Sequence, residues 1–518
     1  MRPHFAACVL LCIDRRGFLA LFICDQRRHD RAFRRPSFLN RRFFCRLRNV
    51  VRNMESDLRA ICLLGLGFMF IFSAFNSQGF IEIAILRDKK SADTGITKDS
   101  GFYSFAIIYA SFTVSNFLAS PIVVTLGSKN AMILGGSCYL LFLLGFLWIK
   151  AWLLYLLSAV VGFGAAVIWT GNGAYLTAYA RPDTNARNIG IMWAMLQSSL
   201  IFGSLFMFII LHHGRIADSF YVLYTVFSIV CAVGLGILAF LPKVQIGPID
   251  SQTIREEREH FDDQDIEPIF AEETTIRVRR ESASGSSDDG IGFWADFSRT
   301  FALMKTEKMM YLAVVFIFSG LELTFFSGVY SACLASTTLL GENSGLIVAF
   351  CVLFIGFGQI MGGLLFGIFS QRFVQGKRFP VIALGFVIHL LAFFFIVINI
   401  PMEAPIHKTS SHAWIENPSV FLAVFCGFLL GFADSCWNTQ IYSLLGEVFA
   451  RYSSSAFAIF KFYQSLAACV SFFYSHIFLL HIQLILLVIM GSVATWAFFV
   501  IEKKMVEVEE GPRSDPPP

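Results

Sequence analysis

Twelve separate runs of eighteen or more mostly apolar residues constrain this chain more than any other feature. A helix of about 20 residues covers the roughly 30 Å of a bilayer's hydrocarbon core. The runs lie near 58–86, 102–126, 131–149, 151–180, 188–212 and 219–241, then near 309–333, 345–369, 380–400, 419–447, 454–480 and 482–501. Inside lipid a backbone has to satisfy its own hydrogen bonds, so runs of this length and number predict helices. The fold class is an all-α membrane protein with twelve transmembrane helices. Composition agrees, with 56% hydrophobic residues and only 15% charged, against about 45–50% and about 25% in soluble chains. A disordered regulator, a coiled coil and a basic nucleic-acid reader are excluded. The net charge of +4 implies no polyanion partner, so the partner the sequence names is the lipid bilayer, with no nucleic acid.

The runs fall into two groups of six. Between them, 243–308 is rich in Asp, Glu and Ser, as in IREEREHFDDQDIEP and RRESASGSSDDG. Such a stretch buries too little apolar surface to fold alone and reads as a linker in solution. The predicted organisation is a basic extension over 1–53, a six-helix bundle over 54–242, the linker over 243–308, a second bundle over 309–501 and a disordered tail over 502–518. The extension holds thirteen Arg against three Asp. Its apolar pieces ACVLLCI and FLALFIC are too short to span or to serve as a secretory signal, and it reads as disordered or as an upstream extension of the gene reading, with Met54 as the working start.

Orientation follows from Lys and Arg near the span ends. Arg52, Arg59, Lys243, Lys305, Lys308, Arg372, Lys377, Arg378, Lys503 and Lys504 all fall on one side. Arg87, Lys89, Lys90 and Lys98 argue the other way. The tails and linker outweigh that loop, which places both termini in the cytoplasm.

The halves repeat one another. Trp193, Ala194, Gln197 and Ser198 in span five are spaced as Phe460, Lys461, Gln464 and Ser465 in span eleven. Trp169 and Asn172 of span four match Trp437 and Gln440 of span ten, and Phe70-Ile-Phe-Ser73 of span one matches Phe316-Ile-Phe-Ser319 of span seven. The order of these matches is that of six-span halves duplicated in tandem, the major facilitator arrangement. Gly362 to Arg378, between spans eight and nine, resembles the major facilitator signature loop, with Ser370 where an Asp is usual. Its first-half counterpart, Leu126 to Asn130, is eroded further. Without the carboxylate, a charge lock between helix ends is in doubt in both halves.

Charges within spans are costly and need partners or a purpose. Glu322 lies near the middle of span seven, Asp434 near the middle of span ten, and Lys461 about a third of the way into span eleven. Asn438 shares a helix face with Asp434, and Gln464 with Lys461. In a major facilitator bundle spans one, four, seven and ten line the central cavity. Their polar residues are Asn76, Gln78 and Glu82, then Asn172, then Glu322, then Asp434, Asn438 and Gln440. Gln197 joins them as the counterpart of Gln464. Two carboxylates and one ammonium leave one negative charge over, which makes a proton-binding carboxylate. In one arrangement Lys461 pairs with Asp434 and Glu322 carries the proton; in the other the roles are exchanged. The competing reading is a neutralised polar network that fixes helix register.

Other features carry less. His389, His476 and His481 are unaccompanied in sequence and read as packed or interfacial, and Glu447 reads as meeting Arg451. The pairs Gly358/Gly362, Gly363/Gly367 and Gly427/Gly431 read as internal packing between helices. Ser282 and Ser286 resemble kinase sites. No Cys/His spacing fits a metal, no cofactor fingerprint stands in context, and nothing assembles a nucleophile, base and orienter, so no enzyme is expected.

Ser319 to Tyr330 (SGLELTFFSGVY), Asp434 to Gln440 (DSCWNTQ) and Phe457 to Ser465 (FAIFKFYQS) together resemble the Unc-ninety-three-like branch of the major facilitator superfamily. In the first half GFMFIFSAF, AAVIWTGNG and GIMWAMLQSS follow in the same order. The resemblance covers roughly 57–501. It implies a solute-carrier-like membrane protein moving an unknown small solute or ion. It equally implies a partner of another membrane protein, since relatives regulate a potassium channel or escort receptors.

Overall fold

The computed structural model describes residues 8–13, 19–24, 56–88, 93–97, 100–179, 184–213, 220–243, 289–341, 344–373 and 377–510. The chain divides into two units, Met1–Arg59 and Ala60–Pro518. In the first, Cys8–Ile13 pairs antiparallel with Leu19–Cys24, so that Cys8 faces Cys24 and Ile13 faces Leu19. The two apolar pieces of the extension are therefore strands rather than disordered chain, and pairing each other satisfies backbone groups that neither piece can satisfy alone. The remainder of the extension, the kinase-like sites at Ser282 and Ser286, and the loop residues Lys89, Lys90 and Lys98 lie outside the described residues.

Among the described residues, twelve helices are long and apolar enough to cross a membrane. In chain order they are Ser56–Asp88, Ser100–Leu126, Ser128–Gly145, Ala151–Ala178, Asn185–His213 and Phe220–Ala239, then Glu307–Ser336, Ser344–Phe373, Phe379–Asn399, Val420–Val448, Ser453–Ser475 and Leu480–Glu510. Pro380 opens the ninth, where its missing N–H costs nothing, and the Ser419 side chain caps the tenth by accepting from the Leu422 N–H.

Packing repeats with a shift of six spans. Two packs on four, three on four and three on six; likewise eight packs on ten, nine on ten and nine on twelve. Across the halves, two packs on eleven and five on eight, and each pair becomes the other when the halves are exchanged. This is the two-fold pseudo-repeat of the major facilitator fold. The five–eight crossing is closest at Gly190, where a Cβ would come within 2.3 Å of the Gly363 carbonyl and 2.5 Å of the Gly367 Cα. Gly190 and Gly367 have no room for a side chain because backbone meets backbone there, and Gly363 has little. Gly358 and Gly431 make the same kind of approach between spans eight and ten.

Three parts of the sequence reading change. The last third of the expected linker forms a helix, Asp289–Met304, with Asp296, Thr300 and Leu303 buried. Phe293, Phe297 and Phe301 recur every four residues, and a stripe at that spacing buries against a neighbour. Phe301 stacks on Phe117 of span two at 4.8 Å, and Thr300 bonds Ser455 of span eleven at 3.1 Å. Second, the expected tail continues span twelve as helix to Glu510. Third, the loop between spans eight and nine keeps a charge lock despite Ser370. The Arg378 guanidinium binds Glu447 of span ten, while Glu502 of span twelve accepts the N–H groups of Arg378 and Phe379, the latter at 2.5 Å. Glu447 thus meets Arg378 rather than Arg451, because the start of span nine lies beside the end of span ten.

Span seven has one irregularity. A π turn over Phe325–Val329 begins three residues after Glu322. Such a turn breaks the regular hydrogen-bond ladder and is frequent at functional sites.

Candidate functional site

The site is built on a frame of rings. In the second half Phe318 of span seven lies 4.7 Å from Trp437 of span ten and edge-on to His389 of span nine at 5.8 Å. In the first half Phe72 lies 5.0 Å from Trp169 and edge-on to Tyr139 at 5.4 Å. The same three spans supply the same three rings, so the duplication reaches individual side chains. All are buried except Trp169, which is partly so.

Around the second-half frame stand the charges. Glu322 and His389 are 1% and 0% exposed, and His389 Nε2 lies 2.7 Å from Glu322 Oε1. Neither side chain has another polar partner among the described residues. Asp434 is next to them and within electrostatic reach of Glu322, His389 and Lys461. Its carboxylate accepts from Asn438 Nδ2 at 2.7 Å, as their shared helix face requires. A carboxylate and an imidazole this close meet at ion-pair distance without the alignment of a hydrogen bond, and each is a group that can take up or release a proton.

Lys461 is elsewhere than the charge count suggested. It makes no ion pair with Asp434 among the described residues. Its ammonium donates to Gln464 Oε1 at 2.7 Å, and Gln464 Nε2 in turn donates to Ser319 Oγ of span seven at 3.2 Å. The ammonium lies over three rings: Phe460 at 4.4 Å, Trp169 at 4.7 Å and Tyr442 at 5.6 Å. Trp169 belongs to the first half, so the lysine bridges the two. The ring quadrupoles supply the negative potential that a carboxylate otherwise would.

Of the other expected residues, Asn172 is fully buried beside Tyr442, with neither amide atom hydrogen-bonded. Gln440 donates only to Thr439 at 3.3 Å. Asn76 donates to Ser199 of span five at 3.2 Å and stands apart from the charges. Gln197 is half-buried and joins none of the contacts just described. Gln78 donates to Glu82 at 2.6 Å, in the interior of the first half near Tyr224. Sequence reasoning missed His389, Tyr442 and Ser319. A single histidine in an apolar run carries no signal until span nine is laid beside span seven.

The two halves also meet away from the charges. Asn185 Nδ2 of span five donates to the Ser443 carbonyl of span ten at 3.3 Å, and Thr177 packs at Gly446. Thr113 and Asn116 of span two both donate to Ser465 of span eleven, at 3.1 and 3.4 Å.

Twelve spans in two exchange-related halves, with charges buried in the second half and one lysine reaching the first, define a polytopic membrane protein of the major facilitator fold. The solved structure of the proton:xylose symporter XylE bound to 6-bromo-6-deoxy-D-glucose aligns at a TM-score of 0.57, covering 87% of this chain and 95% of that one, at 12% identity. At that identity the likeness concerns the fold. The family model described as ion channel regulatory protein UNC-93 matches residues 91–499, and the chain belongs to that family. It is 36% identical over 447 residues to the UNC93-like protein MFSD11 of Xenopus laevis, covering 85% of this chain and 95% of the relative. It is 23% identical over 500 residues to protein unc-93 homolog A of Bos taurus, covering 89% and 96%. Of these, the solved structure is named as a symporter and the family model as an ion channel regulatory protein.

Proposed function

We propose that this protein is a secondary transporter of a small solute, in which Glu322 and His389, backed by Asp434, take up and release a proton as the halves rock. The observation that carries this reading is the 2.7 Å approach of Glu322 to His389 at full burial, with Lys461 engaged elsewhere. A structural network would close its polar contacts, whereas here the atoms of both side chains stay otherwise unpartnered. Asp434 and Asn438 form the adjoining wall, with Asn172 toward the first half. Both termini and the linker face the cytoplasm in this reading, supported by the basic residues Lys305, Lys308, Arg378, Lys503 and Lys504 at that end. The test is proton movement in vesicles reconstituted with the full chain. Glu322→Gln is expected to abolish solute-coupled proton movement; coupling left intact would remove Glu322 as the carrier.

A second reading has its own support. The first half has no counterpart to the Arg378–Glu447 contact among the described residues, and a lock in one half alone suits a fold that no longer alternates. The family model's description as an ion channel regulatory protein points the same way. On this reading the protein is a non-transporting subunit or trafficking chaperone of a channel or receptor. Purification from native membranes separates the two, because a channel or receptor recovered in near-equal amount favours the accessory role.

A further inference from the structure

We propose that the ring cage around Lys461 is a binding site for a small organic ammonium ion, and that the lysine's own ammonium is its tethered occupant. The inference rests on the transporter reading for its purpose but not for its geometry. Three faces, Trp169, Tyr442 and Phe460, converge on one ammonium at 4.4–5.6 Å. Rings arranged in this way are the recognition element for organic cations. They do nothing comparable for an anion, which their faces repel.

Charge balance points the same way. Asp434 is within electrostatic reach of Lys461, and Glu322 adjoins Asp434. An anionic solute would bring a further negative charge beside the Asp434 carboxyl. A cationic one would take over the role Lys461 now fills. Unpartnered acceptors are also present. Asn172, with neither amide atom hydrogen-bonded, and the Tyr442 hydroxyl flank the cage, and Asn438 Oδ1 stands by Asp434. These are the groups that N–H protons of a primary ammonium seek.

The cage also ties occupancy to conformation. Trp169 comes from span four of the first half, while Tyr442 and Phe460 come from spans ten and eleven of the second. Parting the halves at this level takes one wall from the cage. A cation entering it must displace the Lys461 ammonium, which then depends on Gln464 and its link to Ser319. Solute and lysine therefore compete for one place.

The experiment uses the purified full-length chain, with tetramethylammonium, ethylammonium and acetate as probes and thermal stabilisation as readout. Wild type is expected to be stabilised by either ammonium probe and not by acetate. Lys461→Met, which keeps the stem but removes the competitor, is expected to bind ethylammonium roughly tenfold more tightly. Trp169→Leu is expected to lose the ammonium effect in wild type, which keeps the test decisive should Lys461→Met fail to fold. Stabilisation by acetate that depends on Lys461, or an ammonium effect untouched by Trp169→Leu, would overturn the proposal, as would no ammonium effect on folded wild type. Vesicle uptake is a separate readout. Ammonium binding without flux would sink the transporter reading and leave the site standing, while Lys461-dependent flux of an organic anion would do the reverse.

Discussion

The two halves share a ring frame and differ in what surrounds it. Phe72, Trp169 and Tyr139 in the first correspond to Phe318, Trp437 and His389 in the second. The repeat then sets Asn76 against Glu322 and Ala194 against Lys461, and Ala166 against Asp434. Around its frame the first half carries apolar and amide side chains, with the buried carboxylate of Glu82 lying apart near Tyr224; the second half gathers the charges. The frame persists in both, and its Trp169 also lies over the Lys461 ammonium. Chemistry needed only three replacements on it: an amide by a carboxylate, a methyl by a carboxylate and a methyl by an ammonium. The ends differ in the same sense. Arg378, Glu447 and Glu502 tie spans nine, ten and twelve together, while the first-half loop relies on Gly127 in a left-handed conformation and on Asn130 bonding back to the Leu126 carbonyl.

The comparison breaks most severely if the apolar half tolerates a charge. Ala166→Asp puts a carboxylate at a fully buried position with no imidazole or ammonium arranged around it. It is expected to cost roughly 3–5 kcal/mol, the range for an uncompensated buried charge. Thermal denaturation of the solubilised chain checks it, and near-wild-type stability would mean the halves are not electrostatically distinct. Arg378→Ala leaves Glu447 and its neighbours without their cation and is expected to cost about 1–3 kcal/mol. The matched change in the first half, Lys129→Ala, is expected to stay within about 0.5 kcal/mol, as at other surface positions. Equal losses from the two substitutions would show a lock in each half.

The smallest effect belongs to the loop between spans nine and ten. Ser411 first, then Thr409 and the charge of His407, hold the Glu403 carboxyl below the usual carboxylate range against its partial burial. A lowered value in the fold adds stability that is complete above the unfolded group's titration range and is lost as pH falls through the folded value. The margin of wild type over Glu403→Gln is thus expected at neutral pH and to shrink in acid. A margin that grew on acidification would reverse the assignment.

Much of the architecture was legible in the sequence because bilayer physics leaves few choices. Apolar runs near 30 Å in helical length become helices, and an even repeat in their order becomes two bundles. Within the site legibility ended at pairing. Counting charges pairs Lys461 with Asp434 or with Glu322 and leaves the other carboxylate to carry a proton. The structure instead gave Lys461 to ring faces, which carry no formal charge to count. His389 was passed over because its partner is 67 residues away on another span, and no spacing rule reaches that far. The Asp289–Met304 helix was legible and was overlooked: acidic residues upstream drew attention from the phenylalanine at every fourth position.

The crossing at Gly190, Gly363 and Gly367 has a mechanical corollary. Backbone rests on backbone there, so on the transporter reading it would serve as a fulcrum. Its place is five residues into a 29-residue helix, close to one end. Some 16 residues beyond it, at Phe206, the lever arm is about 24 Å, at 1.5 Å per residue. On the transporter reading, a small swing about this bearing would part the far mouth, where Phe208 now meets Phe350, more widely than the near one.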